Sequence, residues 1–311
     1  MKVLVTGGNG FIGKSLLKAF QSESYQLAAS VRVSEFNSLG KTKFYTVGNI
    51  DGSTDWRELL ESCSVVVHTS GVSSDENIDK NDDYFIRTNV DASLNLLKQS
   101  IENGVKKFIF LSSIKVNGEN TYGVQKFHEL DKTKPKGIYA ISKYMAEQGI
   151  MNLAHNSNIE IYILRLPIVY GAGADNNFMK LVESIRSSYI FPCFSKYNLR
   201  SYLGIDNLID FIKICIERNP SEGKLQEIFL LSDLKPLSTC EVISTVKKVF
   251  DAKVYLLPIP DSLVNSMLKL LGKDNLSNKI YGNLIVDITK AKKILAWEPK
   301  KNMQQQLRKI I

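Results

Sequence analysis

Three side chains, Ser113, Tyr139 and Lys143, occur in the order that acid–base chemistry beside a hydride transfer needs. Tyrosine free in water has a pKa of about 10 and is a poor acid–base catalyst near neutrality, but a nearby cation lowers that pKa. Lys143 follows Tyr139 by one helical turn, so the two side chains share a helix face, and its charge would add to that of an oxidised nicotinamide. Tyr139 could then exchange a proton with a substrate oxygen while hydride moves at the adjacent carbon. Ser113 would position that oxygen by a hydrogen bond.

The Tyr-x-x-x-Lys pattern is common on surface helices, but here it follows a glycine-rich segment that opens the chain. Lys2 to Thr6 is predicted to be a short buried strand, and Lys14 to Phe20 has helical spacing. The glycines between them satisfy the patterns of dinucleotide-binding turns. They let a pyrophosphate approach the backbone at a helix N-terminus, where unsatisfied N–H groups and the helix dipole favour an anion. We therefore assign a dinucleotide cofactor to the residues Gly7, Gly10, Phe11, Ile12 and Gly13.

Arg32 bears on which dinucleotide is bound. It ends the predicted second strand, Gln26 to Arg32, and Val31 precedes it where NAD-preferring folds carry an acidic residue. A carboxylate would repel a 2′-phosphate, whereas a guanidinium pairs with it through two parallel hydrogen bonds. The sequence favours NADP(H), with NAD(H) as the alternative. The competing interpretation, which we favour less, is that Arg32 is simply a surface residue.

Small polar residues follow two later predicted strands. Ser64 to His68 is succeeded by Thr69, Ser70 and Gly71, and Lys107 to Leu111 is succeeded by Ser112 and Ser113. Ligands of doubly wound sheets bind at the carboxyl ends of strands, so these residues are predicted to line the site. A long helix predicted over 83–100 carries Asn89.

The alternation of strands and helices predicts an α/β fold, a Rossmann-type doubly wound parallel sheet. We place the NAD(P)-binding Rossmann domain at residues 1–171. A smaller C-terminal α/β part, residues 172–311, is expected to bind most of the substrate. Residues 172–200 have no clear periodicity and are expected to be irregular. Asp261 to Lys273 has an amphipathic pattern, which favours a helix packed on the second domain or on a dimer partner over one lying in a membrane interface.

Composition limits the remaining classes. Of the 311 residues, 44% are hydrophobic, and the net charge is +8. The basic residues are dispersed, which argues against a nucleic-acid partner and suits a surface that attracts a phosphorylated substrate. No apolar run is long enough for a membrane span or a signal peptide. Three histidines lack metal-ligand spacing, so no metal is expected. The four scattered cysteines (Cys63, Cys193, Cys215 and Cys240) are expected to be reduced, as in a cytoplasmic protein.

The motifs together resemble a known family. Thr6-Gly-Gly-Asn-Gly-Phe-Ile-Gly13, Ser112-Ser113 and Tyr139-x-x-x-Lys143 are similar to those of the extended short-chain dehydrogenases/reductases, the NAD-dependent epimerase/dehydratase proteins that act on nucleotide sugars. The resemblance implies that Lys143 also binds the nicotinamide ribose and that Asn89 lies near the active site. Asn49-Ile50 matches an Asp-Ile pair that contacts adenine in the family, with Asn replacing Asp.

Further matches concern the substrate. The segment Phe108 to Glu119 resembles bacterial UDP-sugar 4-ketoreductases, whose products enter surface polysaccharides, whereas typical 4-epimerases have Tyr at Asn117 and commonly an Asn at the place of Ile168. By resemblance, Arg200 would pair with the UDP diphosphate and Asn177 would contact it from the irregular loop. Dimers through the Tyr139 helix are usual in the family, so the resemblance is compatible with a homodimer, and the sequence itself leaves the oligomeric state open.

Three functions remain open on the sequence. The first is an NADPH-dependent reductase of C4 in a UDP-4-keto-6-deoxy-N-acetylhexosamine. The alternative is a UDP-hexose 4-epimerase of the UDP-glucose or UDP-N-acetylglucosamine type, which oxidises C4 and reduces the other face of the keto intermediate. The third is a non-catalytic dinucleotide sensor, against which the intact set Ser113, Tyr139 and Lys143 argues.

Overall fold

A seven-stranded sheet organises the computed structural model, which describes residues 1–33, 39–73, 81–193, 198–219, 223–270 and 282–310. The strands in these ranges are β1 (Lys2–Thr6), β2 (Gln26–Val31), β3 (Lys43–Thr46), β4 (Cys63–His68), β5 (Lys107–Ser113), β6 (Glu160–Leu166), β7 (Ile168–Tyr170), β8 (Ile190–Cys193), β9 (Tyr202–Gly204), β10 (Gln226–Leu230) and β11 (Tyr255–Pro258). The large sheet has the order β10-β6-β5-β4-β1-β2-β3, and β11-β8 and β7-β9 form two small sheets.

The helices lie between the strands. In the described ranges they are α1 (Phe11–Ala19), α2 (Arg57–Leu60), α3 (Asp82–Ile86), α4 (Ala92–Glu102), α5 (Gly137–Ala154), α6 (Asn177–Ser187), α7 (Ile205–Glu217), α8 (Thr239–Val249), α9 (Asp261–Leu270), α10 (Thr289–Leu295) and α11 (Met303–Leu307). A π-helical turn, Arg87–Asp91, joins α3 to α4, and 3₁₀ turns occupy Phe20–Ser22, Ile114–Val116 and Arg308–Ile310.

The order of the large sheet confirms the Rossmann-type prediction. Its strands read 3-2-1-4-5-6 in the order of the doubly wound fold, with β10 added beyond β6. Val3, Leu4 and Val5 of β1 have no exposed surface, as expected for a parallel strand covered on both faces. β1 pairs in parallel with β2 on one side and with β4 on the other. The sheet is therefore extended from β1 in one direction by β2 and β3 and in the opposite direction from β4 onward. The carboxyl ends of β1 and β4 therefore open the crevice where such folds bind ligands.

The contacts between residues divide the chain into two units. The first comprises residues 1–116, 134–165 and 209–229, and the second comprises 117–133, 166–208 and 230–311. The expected boundary at residue 171 lies near residues 165 and 166, where the chain passes from the first unit to the second. The first unit also contains residues 209–229, after this boundary, and the second also contains residues 117–133, before it. Leu4, Phe108 and Ile161 belong to a core cluster of the first unit, and Phe178, Val242 and Leu307 belong to one of the second.

Residues 172–200 are more regular than expected. They contain α6, whose first turn is capped by the side chain of Asn176, which accepts hydrogen bonds from the N–H groups of Phe178 and Met179 at 3.1 Å each. The helix buries Phe178, Val182 and Ile185. The expectation of an irregular segment was therefore wrong here, because a short apolar face with one asparagine cap is weak in a sequence but is fixed by packing in the second unit.

The expectation of four reduced cysteines was wrong for two of them. Cys193 at the end of β8 and Cys240 in the first turn of α8 form a disulfide across 47 residues, with their Cα atoms 5.6 Å apart. Their spacing gives no sign of pairing, because only the fold brings the two elements together. Cys63 and Cys215 are free and buried.

Two further expectations concern helices. The amphipathic segment forms α9 up to Leu270, and residues 271–273 of the predicted helix lie outside the described residues. Over the described ranges, no helix is long and apolar enough to cross a membrane.

Candidate active site

The glycine segment connects β1 to α1 by a tight turn. The N–H of Gly10 donates to the carbonyl oxygen of Gly7 at 2.9 Å, and α1 begins directly afterwards at Phe11, three residues earlier than predicted. Gly7 has a φ of +68°, which only glycine adopts readily. Gly10 occupies the N-cap position and provides no side-chain cap, so the first N–H groups of the helix are left for a ligand.

The same glycines form a cradle that a side chain would fill. A Cβ atom on Gly13 would lie 2.3 Å from the carbonyl oxygen of Gly7, so α1 presses against the turn. Among the residues that the structure describes, a Cβ on Gly10 would meet only that same oxygen, at 3.3 Å, which leaves the other side of Gly10 free of them. Close packing at Gly13 and an open approach at Gly10 are what a pyrophosphate at a helix N-terminus requires. The backbone therefore fits a dinucleotide.

A buried histidine at the end of β4 orders the residues beside the crevice. His68 is fully buried; its Nδ1 lies 2.7 Å from the hydroxyl of Thr6 and its Nε2 lies 2.9 Å from that of Ser93. Ser93 donates its proton to the carbonyl oxygen of Asn89, so we assign the Nε2–H tautomer, with Thr6 donating to Nδ1. Burial, with a smaller contribution from the charge of Lys143, lowers the pKa of His68 to about 3. The ring is therefore neutral at physiological pH.

The hydroxyl of Thr6 also holds the backbone of the residues that follow β4. It accepts hydrogen bonds from the N–H groups of Thr69 at 3.1 Å and Ser70 at 3.2 Å. Ser70 lies beside Gly7, since a Cβ on Gly7 would come within 3.0 Å of the Ser70 hydroxyl oxygen. The structure thus brings the ends of β1 and β4 together, as the sequence predicts.

Asn89 lies in the π-helical turn and ties that turn to α5. Its side-chain oxygen accepts from the N–H of Val72 at 2.8 Å, and its Nδ2 donates to the hydroxyl of Ser142 at 3.0 Å. Ser142 donates in turn to the carbonyl oxygen of Tyr139 at 2.9 Å. A Cβ on Gly71 would lie 2.9 Å from the Asn89 oxygen. π-helical turns occur frequently at functional sites, and this one places Asn89 between the crevice and the helix of Tyr139.

Lys143 is buried one turn after Tyr139 on α5. Its ammonium nitrogen donates to the carbonyl oxygen of Leu111 at 2.9 Å and lies 4.7 Å from the centre of the Phe110 ring. It is also near Gly71, whose Cβ would come within 3.4 Å of it. Burial lowers the pKa of Lys143 to about 8, while the charge of Glu147 acts in the opposite direction. The protein therefore keeps an ammonium group at the crevice at neutral pH.

Ser113 and Tyr139 are linked through Lys115. The hydroxyl oxygen of Ser113, which is 7% exposed, accepts from the N–H of Lys115 at 3.3 Å. The ammonium nitrogen of Lys115 lies 5.5 Å from the centre of the Tyr139 ring. The serine, the tyrosine and two cations thus belong to β5, the following turn and α5. Tyr139 has a cation on its own helix and another over its face, which suits a proton exchange by the phenol.

The sequence analysis missed Glu147 and Arg165. Arg165 of β6 donates through Nη2 to Oε2 of Glu147 at 2.7 Å and through Nε to Oε1 at 3.0 Å. Ser112 also donates to Oε1. The spacing Tyr139, Lys143, Glu147 was a signal in the sequence, because residues four apart share a helix face.

Arg32, Asn49 and Ile50 are the predicted contacts to the adenosine part. Arg32 is exposed just after β2, and Asn49 is exposed after β3. Ile50 is half-buried and packs against the core cluster of the first unit. The described part of the chain places them after strands β2 and β3, on the same side of β1 in the sheet.

The predicted substrate residues Arg200 and Asn177 belong to the second unit. Burial lowers the pKa of Arg200, whose Nη1 donates to the carbonyl oxygen of Gly282 at 3.2 Å, and its backbone pairs with Leu237. Asn177 is the first residue of α6 and does not lie in an irregular loop.

Two other residues distinguished the substrate hypotheses. Asn117 is 1% exposed and donates to the carbonyl oxygen of His128 at 2.9 Å. Ile168 is 44% exposed at the start of β7.

Comparison with known proteins identifies the family to which the chain belongs. The model of the NAD dependent epimerase/dehydratase family matches residues 3–230. The chain is 35% identical over 308 residues to the UDP-glucose 4-epimerase of Vibrio cholerae, covering 97% of this chain and 92% of that one. It is 25% identical over 317 residues to the dTDP-4-dehydro-6-deoxyglucose reductase of Escherichia coli, covering 96% and 92%. The structure of a UDP-glucose 4-epimerase from Thermotoga maritima with UDP-glucose matches the fold with a TM-score of 0.79 at 23% identity, covering 100% and 97%.

Proposed function

Because this chain belongs to the NAD dependent epimerase/dehydratase family, we propose that it reduces C4 of a UDP-4-keto-6-deoxy-N-acetylhexosamine. Arg32, Asn117 and Ile168 favour the reductase over an epimerase. The observation that carries the oxidoreductase chemistry is the assembly of Ser113, Tyr139 and Lys143 around the carboxyl end of β5. These groups suit the protonation of a carbonyl oxygen next to a hydride transfer. A dinucleotide sensor would have no use for them.

Each of the three residues has a defined role in the proposed reaction. The chemistry supplied by the bound dinucleotide is a hydride for C4. Tyr139 gives its phenolic proton to the C4 oxygen, so the ketone is reduced to an alcohol. Ser113 donates a hydrogen bond to the same oxygen and fixes its position. Lys143 holds the ribose next to the nicotinamide, and its charge favours the phenolate that Tyr139 becomes.

The backbone of the glycine turn is proposed to hold the pyrophosphate. Gly7, Gly10 and Gly13 leave the space for it, and the N–H groups of Phe11 and Ile12 face the anion at the start of α1. Arg32 favours NADPH over NADH, because an exposed guanidinium follows β2 where NAD-preferring folds carry an acidic residue. A reductase consumes its cofactor in each turnover, and NADPH is the form that supplies hydride for biosynthesis.

UDP is proposed to be the part of the substrate that the second unit binds. Arg200 would pair with the diphosphate through its guanidinium, and Asn177 would contact it from the start of α6. The relatives named for UDP-glucose and for a 4-keto-6-deoxy sugar nucleotide support this substrate class. Both NADPH and UDP-sugars are cytoplasmic metabolites, so we place the reaction in the cytoplasm. The exposed apolar side chains Ile141 and Met145 of α5 favour a homodimer through that helix.

A UDP-hexose 4-epimerase is the second candidate. It is favoured by the 35% identity to a UDP-glucose 4-epimerase over nearly the whole of both chains. An epimerase would use the same three residues twice, first to oxidise C4 and then to reduce it from the other face. It would retain its NAD between the two steps, and the UDP part would hold the intermediate while the sugar turns.

The deciding experiment measures NADPH oxidation with UDP-4-keto-6-deoxy-N-acetylglucosamine. UDP-galactose and UDP-N-acetylglucosamine, without added cofactor, serve as controls. We expect one NADPH oxidised per keto-sugar consumed. Interconversion of a control sugar without added cofactor, and no NADPH oxidation, would contradict the reductase and identify the epimerase.

A binding measurement tests the proposed role of Arg200 in UDP binding. Arg200→Met should weaken UDP binding by more than about tenfold, since a charge-assisted hydrogen bond contributes about 1.5–3 kcal/mol. Arg186→Met is the matched control, because Arg186 is exposed in the same unit and stacks on Phe250 at 4.5 Å. Equal UDP affinity of the two variants would remove Arg200 from the site.

A further inference from the structure

We propose that Glu147, held by Arg165 and Ser112, is a positioning residue that keeps Lys143 in its ammonium form beside Tyr139. The inference rests on the proposed function, since it concerns the same catalytic site. It assigns a role to a buried ion pair that the proposed reaction does not itself use.

The geometry places Glu147 one helical turn after Lys143 on α5. Tyr139, Lys143 and Glu147 succeed one another at intervals of four residues on one face of α5. The side chain of Glu147 is 0% exposed and that of Arg165 is 2% exposed. Glu147 receives one hydrogen bond from Ser112 and a two-armed contact from Arg165, so all its acceptors are held on the side facing β5 and β6.

Stability alone does not explain such a pair. The solvation that two charges lose on burial can exceed the attraction between them, and replacing a buried ion pair by well-packed apolar residues is often neutral or stabilising. Ser112 could hydrogen-bond any neutral acceptor. A carboxylate at this position does something a neutral group cannot, which is to place a negative charge next to a buried ammonium group.

The surroundings of Lys143 show why that charge matters. Its burial favours the neutral amine and lowers its pKa to about 8, while Glu147 opposes the shift. From β4, His68 is a neutral ring that stacks on the side chain of Phe110. From β5, it meets the carbonyl of Leu111 and the face of Phe110, and Arg165 and Lys115 are the cations on the neighbouring elements.

Among these groups Glu147 carries the negative charge. Removing it while Arg165 keeps its cation would take away the attraction that favours the ammonium form of Lys143. The amine would then lose its proton at a lower pH, and Tyr139 would lose the cation that its phenolate needs.

The test measures the titration of Lys143 directly in the full-length protein. Lysine labelled with ¹³C at Cε reports the charge of each amine by NMR, and the signal of Lys143 is the one missing in Lys143→Arg. Glu147→Gln retains the shape and loses the charge. We expect it to lower the titration midpoint of Lys143 by about one pH unit, a tenfold smaller ammonium fraction at alkaline pH. An unchanged midpoint would overturn the proposal.

Glu160→Gln is the matched control. Glu160 forms a second buried ion pair, with Arg218 at 2.7 Å, and the two side chains are 6% and 7% exposed. It lies on β6 and is not among the groups that shift the pKa of Lys143. Its variant should lose stability without moving the Lys143 midpoint. An equal shift in both variants would mean a general loosening of the fold and would also overturn the proposal.

Two further readouts keep the inference decidable. If Glu147→Gln does not fold, Glu147→Asp withdraws the same charge by one methylene and should lower the midpoint in the same direction by a smaller amount; a midpoint equal to that of the wild type would then overturn it. In the active enzyme, the alkaline limb of the kcat profile should move with the NMR midpoint. A moved midpoint in a protein that turns over neither sugar refutes the proposed function and leaves the charge assignment standing.

Discussion

The ammonium nitrogen of Lys115 lies 5.5 Å from the centre of the Tyr139 ring. Lys143 follows Tyr139 on α5, so two cations from different elements are arranged around one phenol. This arrangement is the reason we propose Tyr139 as the group that exchanges the proton.

Replacing Tyr139 by Phe should remove turnover and leave the fold intact. The variant lacks only the phenolic oxygen, and loss of a general acid costs about 10²- to 10⁴-fold in kcat. Steady-state kinetics and a cofactor-binding titration measure the two effects separately. Tyr144→Phe, on the same helix, should retain its activity. Surviving activity in Tyr139→Phe would exclude Tyr139 as the acid.

Lys115→Met should slow the reaction more modestly. A cation over an aromatic face contributes about 0.5–2 kcal/mol, which corresponds to a loss of about 2- to 30-fold in kcat. The KM for the cofactor should stay unchanged, because Lys115 follows β5 and not the glycine turn. Lys106→Met, a change at an exposed lysine just before β5, is the control. Equal kinetics for both variants would mean that the contact with Tyr139 has no catalytic effect.

The pH dependence of stability should carry the signature of His68. Its pKa is lowered to about 3 in the folded protein, against about 6.5 in the unfolded chain. Between these values only the unfolded chain binds the proton, so the free energy of unfolding falls as the pH falls through the window. This group should remove about 2 kcal/mol between about pH 7.5 and about pH 5.

Urea unfolding at several pH values measures that slope. His68→Gln should flatten it, whatever its effect on absolute stability, because glutamine does not titrate. His155→Gln changes an exposed histidine and should leave the slope as it is. A slope retained in His68→Gln would assign the acid sensitivity to other groups.

Arg32→Glu should reverse the choice of cofactor. The substitution removes the partner of the 2′-phosphate and introduces repulsion, so the KM for NADPH should rise by at least about tenfold, from the 1.5–3 kcal/mol of a charged hydrogen bond. The KM for NADH should stay the same or fall. Arg57→Glu, at an exposed arginine paired with Asp55, controls for net charge. If the wild type uses NADH as well as NADPH and Arg32→Glu changes neither KM, the assignment to NADP(H) is wrong.

Two glycine variants separate packing from ligand approach. Gly13→Ala places a Cβ 2.3 Å from the Gly7 carbonyl oxygen, so it should cost about 1–3 kcal/mol of stability as well as cofactor affinity. Gly10→Ala meets the same oxygen at 3.3 Å and should fold almost normally, yet it should lose cofactor affinity because its methyl group occupies the approach of the pyrophosphate. Thermal unfolding and calorimetric binding distinguish the two. Normal cofactor binding by Gly10→Ala would contradict the assignment of the turn.

Local sequence patterns determined much of the first unit. β1 was predicted with its observed bounds, and the glycine turn, the serines at the end of β5 and the pair Tyr139 and Lys143 were singled out by order and spacing. These features are readable because strand and helix periods, glycine turns and i,i+4 pairs depend on residues close together in the chain. The doubly wound sheet followed from their alternation.

The tertiary structure decided the features that depend on contacts between distant segments of the chain. The addition of β10 to the sheet, the disulfide between Cys193 and Cys240, and the buried contact of Arg165 with Glu147 join residues that no local period relates. The same holds for His68, which reads as an ordinary strand-end histidine until Thr6 and Ser93 are seen on its two nitrogens. Spacing along the chain states which residues can share a face, but burial and hydrogen-bond partners, which set charge and tautomer, arise only when distant segments pack.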